Sequence, residues 1–494
     1  MSNIRIGYNA ANLFDYLTPS VSADIRELAA NTKIVERHPG GAHTNKINPY
    51  RYRNGWGINM DCIDIVLPDD EAVDENGGGR AKWIRKMEDQ PEGVSYMDEL
   101  AQRCKDMPNL EVVWTANVQS CTAIDAFLAI DYMIRAGVRI TWVEFDNEAY
   151  GKYYSFDDYI TKAQLLADML RMEYPAIKLS FCVAPTNTDR RAHKNWNDAA
   201  RDYWNMDRAD ENIFPLFDAV SVHFYYGARE LPEAYGLLPP PFTVDFTQED
   251  ERLRECFNNL ATRMIMNNGA WGDEIDFFKE SFDDVRILIT EFNTQPGDAF
   301  GNTLVNCCWE FITYIKQDDA IELMTIQNGN GETLTSRWST PKKQDAIVTN
   351  DQIRRLGYYT FKLLSMMDAT HLAQIVASQM TIDGEGRLCL WYANLSKEPV
   401  PCILATIAGI QMVSEPVNSY VQGKYMYSSS GATGFQDGQT PPNYEIDGVI
   451  SETYTGELPP MSYGFIEVVT KKTKIKVNTP RPRWWVRFRA WLGI

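Results

Sequence analysis

Two glutamates in this sequence stand where a chain can do chemistry. Glu148 closes the run Arg139-Ile-Thr-Trp-Val-Glu-Phe-Asp-Asn-Glu148, and Glu291 closes Arg286-Ile-Leu-Ile-Thr-Glu291. Each run is a short apolar segment of the kind that forms a buried strand, and each stops at a carboxylate. Two facing carboxylates can cleave a glycosidic bond. One protonates the departing oxygen, and the other attacks the anomeric carbon or activates water. Taken singly, each glutamate reads equally well as an ordinary ion-pair partner, so the chemistry depends on the two meeting.

The elements that must bring them together can be read along the chain. Thr122 to Ala136 has a helical pattern closed by Gly137, and a second helix is expected from about Phe156 to Tyr174. An earlier helix is expected over Ala23 to Asn31. Strands are expected at Ile4–Asn9, Lys33–Arg37, Leu110–Asn117, the Glu148 run, Lys178–Val183, Ala219–Val222, the Glu291 run and Ile321–Ile326. Eight strands separated mostly by helices predict an α/β fold, a (β/α)8 TIM barrel over residues 1–368. Catalytic groups of such barrels collect where strands hand over to loops at one rim.

From about His371 the helices give way to short β-rich runs: Leu388–Ala393, Cys402–Ile407 and Gly464–Val469. They predict a C-terminal antiparallel β-sandwich over residues 369–470. Residues 471–494 form a third segment, a basic tail with eight Lys or Arg, no acidic residue, and Trp484, Trp485 and Trp491 among them. That composition suits docking on a partner protein or an anionic membrane surface, and equally suits folding back on an acidic body.

Composition narrows the classes. The 494 residues carry a net charge of −19, which disfavours nucleic acid as the partner of the main body. Nine scattered cysteines and five dispersed histidines show no ligand spacing, so neither a metal nor any other cofactor is expected. No run approaches the ~20 apolar residues of a membrane span. The N-terminus enters a strand almost at once, without an apolar core of export length. The expected location is therefore cytoplasmic, with release by lysis or carriage in a virion as the other routes. Aromatic residues reach 12%, partly in loops such as Tyr50-Arg-Tyr-Arg-Asn-Gly-Trp56, and Trp56 is a candidate sugar platform. Oligomeric state is open at this level.

Five motifs in order carry a family resemblance. They are Arg37-His-Pro-Gly-Gly41, Val113-Trp-Thr-Ala-Asn117, Asn147-Glu148, Asp218-Ala-Val-Ser-Val-His-Phe-Tyr225 and Glu291. Across residues 1–470 the chain resembles clan A glycoside hydrolases, most of all the family 51 α-L-arabinofuranosidase and family 79 glucuronidase types. It departs in having Asp146 where glycine is usual before Asn-Glu, and Phe-Asn-Thr after Glu291 where many relatives carry tryptophan. The resemblance implies that Glu148 is the acid/base and Glu291 the nucleophile of a retaining enzyme. As general acid, Glu148 would need a raised pKa. The resemblance also implies that Asn147 contacts the sugar 2-hydroxyl.

Arg37 would pair with Glu291 through charge-assisted hydrogen bonds. His223 and Tyr225 alternate on one strand end, so both can face the cleft. Tyr225 could donate to the nucleophile, and His223 could support the acid/base. Asn117 is a candidate contact for substrate hydroxyls, or a packing residue. Trp114 and Asn328 are further cleft candidates that fit core or loop roles as well. The expectation is a retaining glycoside hydrolase acting on polysaccharide or oligosaccharide, arabinofuranosidase-like in its narrower form. The alternative is an inactive barrel that serves as a carbohydrate-binding or virion-associated structural protein.

Overall fold

The computed structural model describes residues 5–9, 34–38, 101–102, 104–119, 121–151, 155–186, 190–209, 215–227, 271–295, 304–315, 320–326, 335–336, 353–354, 360, 362–364, 366, 372–375, 378–382, 387–394, 399–401, 414–422, 449–460 and 462–469. Trp56, Asn328, the helix expected at 23–31, the strand expected at 402–407, the domain junction at 368/369 and the tail 471–494 lie outside the described residues.

Eight parallel strands close into a barrel in sequence order, with β8 returning to β1. They are β1 (Arg5–Asn9), β2 (Ile34–His38), β3 (Glu111–Ala116), β4 (Ile140–Phe145), β5 (Lys178–Cys182), β6 (Ala219–Gly227), β7 (Ile287–Gln295) and β8 (Ile321–Ile326). Helices α1 (Ala123–Arg135), α2 (Phe156–Glu173), α3 (Arg191–Asp207), α4 (Trp271–Ser281) and α5 (Leu304–Ile315) run between strands. The side chains of Thr122 and Ser155 cap α1 and α2, accepting from the backbone N–H of Asp125 at 3.1 Å and Asp158 at 3.2 Å. Gly137 ends α1 at φ +96°, a left-handed conformation that glycine adopts without steric cost. The buried positions of α2 (Phe156, Tyr159, Ile160, Ala163, Leu166, Ala167, Leu170) recur every three or four residues and form one packed stripe.

The strands fill the barrel in layers, because every second side chain points inward. Val35, Val113, Trp142, Ala219, Leu288 and Leu323 form an apolar floor inside the barrel. Two residues further along each of these strands stand Arg37, Thr115, Glu144, Ser221, Thr290 and Thr325, all buried. An apolar layer is thus followed by a polar one, and the rim lies beyond it. The outward residues, such as Val143, Phe145, Phe181, Val220, Ile289 and Phe292, join the core shared with the helices. Trp114 belongs to that outward set. It is a core residue between barrel and helices rather than a wall of the cleft.

The backbones of β1 and β2 approach closely at Gly7. A Cβ on Gly7 would lie 2.1 Å from the Val35 carbonyl oxygen and 3.0 Å from Thr325 Cγ2. Relief would require the paired backbone itself to move. Gly7→Ala is therefore expected to destabilise the fold by about 1–3 kcal/mol, read as a lower midpoint in denaturant. An unchanged midpoint would contradict this packing.

Beyond the barrel, a two-residue pair, β9 (Thr335–Ser336) with β10 (Ile353–Arg354), precedes a six-stranded antiparallel sheet. Its strands are β11 (Leu372–Ile375), β12 (Ser378–Ile382), β13 (Arg387–Asn394), β15 (Val417–Gln422), β16 (Val449–Thr453) and β18 (Ser462–Val469), in the order β11-β12-β13-β18-β15-β16. Alternation gives this sheet two buried faces. Trp391, Val421, Tyr463 and Phe465 join the core of the barrel helices, with the Phe311 and Tyr463 rings 5.4 Å apart. Leu390, Tyr392, Tyr420, Ile466 and Val468 form a second small core on the other face. Leu458 packs against that second core from the pair β14 (Val400–Pro401) and β17 (Glu457–Leu458). Among the described residues, this short pair is what stands for the second layer of the expected sandwich.

Candidate active site

The strand before Glu148 is shorter than its apolar run suggests. β4 stops at Phe145, and the chain turns through Asp146 at φ +61° and Glu148 at φ +51° into a 3-10 turn, Ala149–Gly151. Left-handed backbone is uncommon outside glycine, although aspartate tolerates it better than most residues. Asp146 is held there by its own surroundings. Its N–H donates to the Ala116 carbonyl at 2.9 Å, and its Oδ1 accepts from the N–H of Val118 at 3.0 Å. This explains how aspartate stands where the resembled families have glycine. Two such residues flanking Asn147 are local strain of the kind that rigid surroundings hold at functional sites.

Glu291 reaches the barrel interior by a different device. β6 and β8 both lose register with β7 around Ile289–Phe292, because one extra residue is inserted in β7. Ile289 and Phe292 point out to the helices, while Thr290 and Glu291 both face inward. A β-bulge thus aims two consecutive side chains into the barrel, where regular alternation would have turned Glu291 outward. The strand continues past the glutamate to Gln295 rather than ending at it.

Arg37 ties the site together. It is fully buried and uses three nitrogens on three partners: Nε to Glu144 at 2.5 Å, Nη1 to Glu291 at 2.6 Å and Nη2 to the Asn147 side-chain oxygen at 2.8 Å. Burial opposes its charge, but Glu144 and Glu291 outweigh burial and hold its pKa above the ordinary arginine value. Its neighbours Glu36 and His38 bond each other at 2.5 Å on the opposite side of β2. Thr290 donates to Glu144 at 2.7 Å, which completes the polar layer beneath the rim.

The two glutamates sit in contrasting settings. Glu291 is 5% exposed and is gripped by three donors. Arg37 and Asn9 Nδ2 donate to Oε1, at 2.6 and 2.8 Å, and the Tyr225 hydroxyl donates to Oε2 at 2.7 Å. Burial first, then the charge of Glu291, pushes the Tyr225 phenol well up, so it stays a protonated donor. Glu148 is 43% exposed and touches the Tyr150 hydroxyl at 3.2 Å and His223 Nδ1 at 3.2 Å. Burial, then Glu148, likewise raises the Tyr150 phenol. His223 Nδ1 also lies 3.5 Å from Glu291 Oε2. Glu148 Oε1 and Glu291 Oε2 are therefore at most about 7 Å apart, a ceiling that admits the roughly 5–5.5 Å of a retaining pair.

Of the residues expected from sequence, Glu148, Glu291, Asn147, Arg37, His223 and Tyr225 come together in one cluster. Asn117 is buried just beyond β3, on the same inward row as Thr115. Three members escaped sequence reasoning: Asn9, Glu144 and Tyr150. Asn9 had a signal, being a polar residue at the end of the first strand. Glu144 had a stronger one, since an acid inside an apolar barrel strand needs a buried partner.

The chain superposes on solved glycosidase structures over almost its whole length. The family 51 α-L-arabinofuranosidase of Bifidobacterium longum has a TM-score of 0.56 at 13% identity, covering 94% of this chain and 95% of its own. This is the fold of the family 51 arabinofuranosidases. The α-L-arabinofuranosidase of Thermotoga maritima, solved as an arabinose complex, gives 0.54 at 15% identity over 94% and 96% of the two chains. A family 44 xyloglucanase of Paenibacillus polymyxa, solved with xyloglucan, gives 0.50 at 10% identity over 94% and 96%. No protein-family model and no curated protein sequence matches the chain. What is shared at such identities is the architecture: a closed parallel barrel followed by an antiparallel β-domain.

Proposed function

We propose that the protein is a retaining glycoside hydrolase, with α-L-arabinofuranosidase-like action as its narrower form. One observation carries this reading: Glu148 and Glu291 converge on the same histidine nitrogen, at 3.2 and 3.5 Å. In the first step a Glu291 oxygen attacks the anomeric carbon and forms an ester bond. The glycosidic bond breaks, its electron pair goes to the departing oxygen, and Glu148 supplies that oxygen with a proton. In the second step Glu148 takes a proton from water, the water oxygen bonds to the anomeric carbon, and Glu291 leaves as carboxylate. Arg37, Asn9 and Tyr225 fix the angle of attack by holding Glu291 from both sides. The substrate is a polysaccharide or an oligosaccharide derived from one.

A panel of 4-nitrophenyl glycosides that includes the α-L-arabinofuranoside tests the reading. NMR of the first-formed product gives its anomeric configuration. Retention is expected, and inversion or no turnover on any sugar would overturn the proposal. Glu148→Ala sharpens the test. With poor leaving groups its kcat/KM is expected to fall by roughly 10²–10⁴-fold, the usual worth of a general acid. Activated aryl leaving groups need little protonation, so their glycosylation step should be largely spared. Equal losses on both would contradict the role of Glu148.

A further inference from the structure

Behind the acid/base lies a cavity that the two-carboxylate mechanism leaves unused. It measures about 510 Å³, and its wall includes Arg190, Arg191, His193, Lys194, Asp198 and Phe277. Pro185 and Thr186 follow β5, so this part of the cavity wall lies beyond the strand end on the same side of the barrel as Glu148 and Glu291. Two side chains stand between the cavity and Glu148. The His193 ring packs edge-on against Tyr150 with centroids 4.9 Å apart, and the Tyr150 hydroxyl donates to Glu148. Since the acid/base protonates the departing oxygen, a cavity on its flank is where the leaving group of a substrate would extend.

The charge of this cavity runs against that of the protein. The chain carries −19, yet the described lining of this cavity sets Arg190, Arg191 and Lys194 against one carboxylate, Asp198, with the buried Glu274 beside it accepting from the Thr186 N–H at 3.0 Å. Lys194 pairs with Asp198 at 2.6 Å. His193 adds no charge near neutrality, because burial and then Arg190 lower its pKa. The stability of α3 does not account for these cations. They stand at the helix start, whose partial charge is positive, and neither a side-chain cap nor a first-turn acid offsets them. Phe277 adds an aromatic residue to the wall, of the kind that packs on the apolar side of a sugar, and arginine forks match a carboxylate with two parallel bonds.

We propose that this cavity is a leaving-group subsite for an acidic sugar, with Arg190 and Arg191 recognising a uronate carboxylate. The subsite rests on the glycosidase reading for its role, but its binding can be measured without turnover. The test is calorimetric titration of the full-length protein with glucuronate, glucose and inorganic sulfate. Glucuronate is expected to bind at least about tenfold more tightly than glucose, and to weaken by about tenfold or more in Arg190→Gln/Arg191→Gln. In the wild type, raising the salt concentration should weaken glucuronate and leave glucose unaffected, since exposed charges are screened. This salt arm decides the matter even where the double variant folds poorly. Equal affinities for glucuronate and glucose, salt-independent binding, or an unchanged double variant would each overturn the proposal. Sulfate binding as tightly as glucuronate would overturn the sugar specificity. Absence of hydrolysis alongside charge-dependent glucuronate binding would overturn the glycosidase reading and leave the acidic-sugar site standing.

Discussion

Glu291→Ala is expected to lower kcat/KM by roughly 10⁴–10⁶-fold on every glycoside the protein cleaves, the scale on which enzymes lose a nucleophile. The size of the loss should not depend on the leaving group, because no covalent intermediate forms without the Glu291 oxygen. This separates it from Glu148→Ala, whose loss should grow with the basicity of the leaving group. Arg37, Asn9 and Tyr225 all converge on Glu291, so the alanine variant also frees three donors. Arg37 keeps Glu144 as a counter-charge at 2.5 Å, and the fold should survive. Steady-state kinetics on activated and unactivated substrates, beside a thermal melt, measures both. A properly folded variant retaining activity within tenfold of wild type would remove Glu291 from the chemistry.

Arg37→Met is expected to have the largest effect on stability. Arg37 and Glu144 are both fully buried, and Glu291 nearly so. Removing the cation strands two carboxylates in a low-dielectric interior, where breaking a buried pair costs about 3–5 kcal/mol. Equilibrium denaturation against wild type measures it, and a loss below about 1 kcal/mol would show that the pair behaves like a surface bridge. Lysine is not expected to rescue the variant. Three nitrogens in a planar fork reach Glu144, Glu291 and Asn147 at once, and a single ammonium cannot.

Much of this molecule is determined by local sequence alone. The alternation of apolar runs and helical patterns sets eight strands in order around a barrel, and β8 forms over Ile321–Ile326 where its pattern lies. Thr122 before α1 and Gly137 after it mark the helix through short-range bonds and a left-handed turn. A glutamate that halts an apolar run singles out Glu148 and Glu291, while Asn147 and Arg37 stand out through short motifs that resemble those of a known family. All of these signals act within a few residues, so they are legible without a fold.

Tertiary structure decided how those residues face. Glu291 points inward because both neighbours of β7 shift register around it, and no local pattern encodes a bulge that arises from closing the barrel. Asn9 on β1 bonds Glu291 on β7 across 282 positions of sequence, a contact brought within reach by the pairing of β8 with β1 that closes the barrel. Asp146 is held at positive φ by contacts from the β3 end, and Glu148 follows it into the same left-handed region two residues on. The path from Glu148 through Tyr150 to His193 likewise joins the 3-10 turn after β4 to the first turn of α3. Local pattern determines which residues reach the rim. Barrel closure, through register and long-range hydrogen bonds, decides which of them meet.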